Sequence, residues 1–321
     1  MPAIRILRIA LMLALAGAMP LATAQTWPTK PVRIVLQFPP GGSTDVVARI
    51  LAQAMTASLG QPVIVENRPG ADGAIAGDFV ARSEPDGHTF FLASNTPMMQ
   101  VPLLRKNAPY DPVKSFTPVS LVGRYIYVLV TNPTLPVQDV SELLAHARGN
   151  PAKLGYGSYS GVTQLMHTRL KSVGADMTLV SYKGEGPTVI DILGNHVQLT
   201  FATPASTLAH IKDGRLRALA VLLPARWNLL PNVPTGFEAG LPPFIAGTWA
   251  ALFGPAKLPP EIAQRMNKEL NAAMNRPDVR EKIVAQGFEL SGSTPEELGA
   301  YLQDQLQAWG RAFNEAGMKP E

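Results

Sequence analysis

The chain of 321 residues contains no cysteine. That excludes a disulfide framework, a thiolate metal site and the acylated cysteine of a lipoprotein anchor. It leaves the compartment open, because a chain this long builds its core without cross-links. Charge is sparse too, at 16% of residues against 46% hydrophobic. No cluster of lysine and arginine interleaved with aromatics occurs, so the basic balance does not point to nucleic acid. The five histidines, His88, His146, His167, His196 and His210, show no i, i+3 or i, i+4 pairing, and no zinc site is expected. Each reads as a surface or packing residue.

Long apolar runs are also missing, except near the N-terminus. There Arg5 and Arg8 precede an apolar stretch from Ile9 to Ala18, and the small residues Ala22-Thr23-Ala24 follow. The stretch is too short for the roughly 20 residues that span a bilayer. A charged start, a short apolar core and a small-residue site are the anatomy of a cleavable secretory signal. Residues 1–24 are therefore expected to be removed on export, leaving Gln25 first. Without Arg5 and Arg8, 26 basic and 24 acidic residues remain, a net charge of +2. The remaining length suits two domains.

Strand and helix periods alternate along that remainder. Val32–Phe38 reads as a strand and Thr44–Leu59 as a helix closed by Gly60. Strand Val63–Glu66, a helix with Ile75, Phe79 and Val80, the turn Pro85-Asp86-Gly87 and strand Thr89–Ala93 follow. Further on come strand Ile126–Thr131, a helix over Asp139–Arg148, strand Lys153–Tyr156, a helix with Val162, Leu165, Met166 and Leu170, and strand Met177–Tyr182. Strands are also expected at Val197–Ala202, Leu216–Leu222 and Trp249–Phe253, with an irregular connection over 224–243. The tail reads as purely helical: Pro260–Asn275, Pro277–Gln286, and a helix opened by the capping box Thr294-Pro295-Glu296-Glu297. This alternation argues for parallel sheets flanked by helices, with the tail packed back on the first lobe.

Two strand-to-helix joints carry the chemistry. In Phe38-Pro39-Pro40-Gly41-Gly42-Ser43-Thr44-Asp45 the glycines let backbone approach a ligand, and the helix N-terminus that follows favours an anion. Ser43 and Thr44 add hydroxyl donors, whereas Asp45, an anion itself, reads as an organiser of the loop. The second joint, Gly155-Tyr156-Gly157-Ser158-Tyr159-Ser160-Gly161-Val162-Thr163, has the same form. The residues alone allow either a pair of anion-binding ends facing across a cleft or two ordinary capped turns. Enzyme motifs fail on spacing. Tyrosine stands where a nucleophile elbow in Gly157-Ser158-Tyr159-Ser160-Gly161 needs serine, Ser160 interrupts a dinucleotide fingerprint, and no P-loop lysine is present. Arg124 and Lys183, near strand ends, either complement a second ligand carboxylate or sit in solvent.

Eight phrases in order resemble one family: Lys30-Pro31-Val32-Arg33-Ile34-Val35, Pro40-Gly41-Gly42-Ser43-Thr44-Asp45, Glu66-Asn67-Arg68-Pro69-Gly70, Pro85-Asp86-Gly87-His88-Thr89, Pro109-Tyr110-Asp111-Pro112, Tyr182-Lys183-Gly184, Gly214-Arg215-Leu216-Arg217-Ala218-Leu219-Ala220 and Pro231-Asn232-Val233-Pro234-Thr235. The chain is similar over this whole length to the tripartite tricarboxylate transporter substrate-binding proteins, the Bug family. It departs from their pattern in the second loop, where Ser160-Gly161-Val162-Thr163 and Met166 replace a glycine-rich stretch followed by histidine.

The resemblance implies a two-lobed, type II periplasmic binding protein, α/β, each lobe a mainly parallel sheet flanked by helices. Residues 25–124 plus 247–321 would form lobe 1 and residues 125–246 lobe 2. It implies a ligand shell of Phe38, Pro40, Gly41, Gly42, Ser43, Thr44 and Asp45, then Ser94, Asn95 and Thr96, then Ser158, Ser160, Gly161 and Thr163, with Tyr182 and Thr203. The expected partners are a small organic carboxylate and integral-membrane transporter subunits, or alternatively a sensor kinase. A hydrolase in the same cleft is a third reading. No cofactor, metal, nucleic acid or catalytic residue is expected, and the protein should act as a monomer, free in the periplasm.

Overall fold

The computed structural model describes residues 27–223, 225–241 and 248–320. The signal-peptide reading of residues 1–24 lies outside them, as does part of the 224–243 connection. Within that connection the described residues form turns and one bridge, Val221 to Thr235.

The chain enters the first sheet through β1 (Val32–Leu36) and turns into α1 (Ser43–Leu59). This helix forms because Val47, Leu51, Met55 and Leu59 recur every four residues and bury one face. It stops at Gly60, whose φ of 69° places its N–H on Thr56 O. β2 (Val63–Asn67), α2 (Ala74–Ala81) and β3 (Thr89–Ser94) follow. A wide helical turn at Thr96–Gln100 and α3 (Val101–Leu104) lead to β4 (Phe116–Tyr125). The first sheet is completed late in the sequence by β10 (Trp249–Pro255) and β11 (Phe288–Leu290), in the order β11-β4-β10-β3-β1-β2.

The second sheet begins three residues after β4, with β5 (Val128–Thr131). It takes in β6 (Gly155–Ser158), β7 (Thr178–Ser181), β8 (Leu199–Ala202) and β9 (Arg217–Val221), in the order β7-β6-β8-β5-β9. The helices between are α4 (Val140–Gly149), α5 (Gly161–Ser172), α6 (Glu185–Leu193) and α7 (Pro204–Lys212). Two sheet-plus-helix lobes result, and the chain passes between their sheets after β4 and again between β9 and β10.

Both sheets are mixed, a correction to the mainly parallel sheets expected. β1 pairs parallel with β2 and β3, but β10 runs antiparallel to β3 and β4, and β11 to β4. In the second sheet β5 is antiparallel to both β8 and β9. The cause is the double crossing. β10 on returning to the first lobe and β5 on entering the second run against the βαβ strands of their sheets, whereas β4 keeps the sense of β3.

The tail is not purely helical either. Between α9 (Pro277–Val284) and α10 (Pro295–Glu315), β11 pairs Phe288 with Tyr125. Three residues are too few to show a period. β4 itself escaped the sequence pattern because Pro118, Gly123 and Arg124 interrupt its alternation, and Gly123 sits at φ 155°. The strand expected at Lys153–Tyr156 lies two residues later, and α8 (Pro260–Asn275) and α10 pack on β4 as a returning tail should. Trp249, Leu252, Phe253 and Trp309 are buried in this lobe's core. Burying a Leu or Phe fully is worth about 1.5–3 kcal/mol.

Candidate functional site

A cavity of about 480 Å³ opens between the lobes. One wall is the β1–α1 joint, with Phe38, Pro40, Gly41, Gly42, Ser43 and Thr44. Ser94 and Thr96, where β3 ends, form the adjoining surface, and Ser160 and Thr203 lie on the second lobe's side. Ten of the sixteen residues expected from the sequence therefore face one cavity.

The other six do not line it, and each has a visible reason. Asp45 is buried, its side chain 4% exposed. Its Oδ2 accepts from Gly41 N at 3.0 Å and from Arg49 Nε at 2.9 Å, while its Oδ1 accepts from an Arg49 terminal nitrogen and from Asn67 Nδ2, both at 2.9 Å. Burial pushes the Asp45 carboxyl up, but the bonds from Arg49, Gly41 and Asn67 outweigh it and hold the group below its ordinary range. Asn67 also donates to Phe38 O at 3.0 Å. Asn95 turns its Oδ1 to Trp249 N at 2.7 Å, tying β3 to β10.

Ser158 and Thr163 serve the second loop from within. Thr163 Oγ1 accepts from Tyr159 N and Ser160 N, each at 3.0 Å, and lies 3.1 Å from Ser158 Oγ. The reciprocal bond from Thr163 N to Ser160 Oγ at 3.3 Å completes a capping box for α5. Gly161 packs so closely on Gln100 of the first lobe that a Cβ there would meet its Oε1 at 2.1 Å. Tyr182 donates to Asp191 Oδ2 at 2.7 Å, and burial together with that carboxylate raises its phenol to about 12.

Several cavity residues were not singled out from the sequence. Tyr125, Tyr127, Thr248 and the Gly184–Pro187 segment line it, beside Tyr159 and Val162 of the second joint and the charged candidate Lys183. Burial keeps all three phenols protonated, with Tyr127 pushed up to about 12 and the other two also raised. Tyr125 Oη bonds Thr44 Oγ1, and Tyr159 Oη donates to Phe201 O at 3.2 Å. Among the described residues, Lys183 is the one basic and Glu185 the one acidic side chain lining the cavity. Lys183 thus lies in the cleft rim rather than apart from it, whereas Arg124 does not line the cavity and stands 5.9 Å over the Tyr301 ring.

Four helices, α1, α5, α6 and α7, begin at this cavity. Each N-terminus carries the equivalent of about half a positive charge. Gly42 gives α1 no side-chain cap, so its first N–H groups are left to the cavity. At α7 the position is already filled. Glu185 Oε1 accepts from Thr203 N at 2.6 Å, from Thr203 Oγ1 at 2.8 Å and from Ser206 Oγ. Since the Thr203 hydroxyl gives its proton to Glu185, Ser43 is the donor in the 3.2 Å contact between Ser43 Oγ and Thr203 Oγ1. This hydroxyl bond joins the two lobes directly. It also revises the expectation that Ser43 offers its proton to a ligand.

Two lobes, a crossed-over chain and an inter-lobe cavity rimmed by helix N-termini define a binding protein of the periplasmic type. The sequence matches the tripartite tricarboxylate transporter family receptor over residues 47–318. It is 38% identical over 318 residues to Protein BugT of Bordetella pertussis, covering 97% of each chain. Among solved structures it resembles the periplasmic binding protein BugD, with 32% identity and a TM-score of 0.84 over 92% of this chain and 100% of that one. An R. palustris protein solved with adipate is 30% identical, with a TM-score of 0.86 over 92% and 100% of the two chains. The chain belongs to the tripartite tricarboxylate transporter receptor family, and its Bug relatives are solute-binding proteins.

Proposed function

We propose that this receptor acts in the periplasm, captures a small organic carboxylate between its lobes and delivers it to integral-membrane transporter subunits. The observation that carries the reading is the uncapped N-terminus of α1 facing the capped N-terminus of α5 across one cavity. On this reading backbone N–H groups at Gly42, Ser43 and Thr44 receive one carboxylate oxygen, and those at the start of α5 the other. A ligand held by both lobes favours their closed arrangement, the ordinary logic of a hinged receptor. Adipate bound by the R. palustris relative supports a carboxylate as the guest.

An enzymatic reading has less behind it. Among the described residues no histidine lines the cavity, so the hydroxyls of Ser43 and Thr203 have no imidazole base beside them there. No helix among the described residues is long and apolar enough to cross a membrane. The reading is tested by thermal-shift screening of the purified protein against mono-, di- and tricarboxylates, aromatic acids and amino acids, with calorimetry on each hit. A ligand at a hundredfold excess over its dissociation constant adds about 2.7 kcal/mol of apparent stability. Stabilisation by a carboxylate that is recovered unchanged supports capture without turnover. Stabilisation only by neutral or cationic compounds overturns it.

A further inference from the structure

Glu185 is an unusual wall for a cavity meant to hold an anion. Glu185 lines the cleft, and its Oε1 gathers the Thr203 amide, the Thr203 hydroxyl and the Ser206 hydroxyl. Tyr159 adds a further hydrogen-bonding contribution. Among the described residues it has no ion-pair partner. Lys183, two positions earlier, is exposed and makes no salt bridge with it. Burial accordingly raises the carboxyl above its ordinary range, with Ser206 and Thr203 pulling the other way. A carboxylate held by hydrogen bonds but lacking a counter-charge, and facing a ligand cavity, is completed by a cation that arrives with the ligand.

The spacing says where that cation must sit on the ligand. From Ser43 at the α1 N-terminus to Glu185 the path is two hydrogen bonds, 3.2 Å to Thr203 and 2.8 Å onward. A carboxylate at the α1 N–H groups and an ammonium at Glu185 are therefore near neighbours, as they are when both are borne by one carbon. The rest of the ligand then points along Tyr125, Tyr127 and Tyr159. Resting on the carboxylate-receptor reading above, we propose that Glu185 is the specificity-determining residue of the cleft and that the ligand is an α-amino carboxylate, its ammonium paired with Glu185. The same charge turns a second ligand carboxylate away from the α7 end of the cavity.

Calorimetry with matched pairs tests this: L-aspartate and succinate, L-glutamate and glutarate, L-phenylalanine and 3-phenylpropionate. In at least one pair the amino member should bind about tenfold or more tightly than its deaminated partner, the 1.4 kcal/mol of a tenfold ratio. Glu185→Gln, which keeps an oxygen for Thr203 and Ser206, should bring that ratio to within about threefold of one, and the deaminated acid should bind as well as before or better. Deaminated acids that bind the unaltered protein as tightly as their amino partners overturn the inference while leaving the carboxylate reading intact. The same holds if Glu185→Gln preserves the ratio, which would make Glu185 a cap for α7 and nothing more. If Glu185→Gln fails to fold, the ratios in the unaltered protein decide alone. No binding by any of the six overturns this inference, and the wider carboxylate panel above then decides the carboxylate reading separately.

Discussion

Asp45 Oδ2 holds the Gly41 N–H at 3.0 Å, so the loop that faces the cavity is anchored from behind by a residue that does not enter it. Gly41 sits at φ 87°, a conformation open to glycine, and the carboxylate fixes it there.

Asp45→Asn should destabilise the protein by about 1–3 kcal/mol, since Arg49, Asn67 and Gly41 lose the charged acceptor they share. Chemical denaturation of both proteins measures this. The sign with pH follows from the lowered carboxyl: its stabilisation is complete above the unfolded value near pH 4 and is lost as pH falls through the lower folded one. The difference between the two proteins should therefore be constant near neutrality and shrink only in acid.

Gly42→Val separates binding from folding. Gly42 has an ordinary extended conformation, φ −78° and ψ 165°, and a Cβ there meets nothing closer than Pro39 O at 4.0 Å. Thermal midpoints should stay level while the bulk added to the cavity wall lowers carboxylate affinity about tenfold or more, roughly 1.4 kcal/mol. Unchanged affinity would remove the first loop from the binding site.

Thr163→Val should behave in the opposite way. The fully buried Thr163 hydroxyl accepts the Tyr159 and Ser160 amides, and removing it strands both donors. A loss of about 1–3 kcal/mol in denaturation is expected. Ser160→Ala, which removes the α5 cap, should cost about 0.5–2 kcal/mol.

Glu185→Gln should stabilise the ligand-free protein at neutral pH. The Glu185 carboxyl is raised in the folded state, so folding favours its protonated form, and stability declines as pH rises from the unfolded value near 4.3 through the folded one. The advantage of the neutral variant should grow over that interval in thermal denaturation. A gap that is flat with pH would mean that the carboxyl is not raised.

The first joint was legible because everything that forms it is local: an apolar strand, two glycines and a four-residue apolar repeat in α1. The lobes were legible because strand and helix periods alternate through most of both. What the sequence hid are relationships between distant residues. Asn67 reaches back 22 positions to Asp45, and the Glu185 carboxylate meets Thr203 and Ser206 across 18 and 21 positions. Nor does the sequence tell that the Ser158 and Thr163 hydroxyls bond within their own loop, because a polar residue beside a helix start looks alike whether its hydroxyl faces a ligand or its own loop. Tyr125 and Tyr127 gave no signal because they stand at the end of an interrupted strand and in the crossing that follows.

That crossing has a mechanical side. Tyr125 closes the last pair of β4 and bonds Thr44, Tyr127 begins the approach to β5, and both touch the cavity. The segment that joins the lobes is thus also part of the wall of the cavity between them. On the receptor reading proposed above, a swing of the lobes about this segment would therefore also reshape the wall of the cavity.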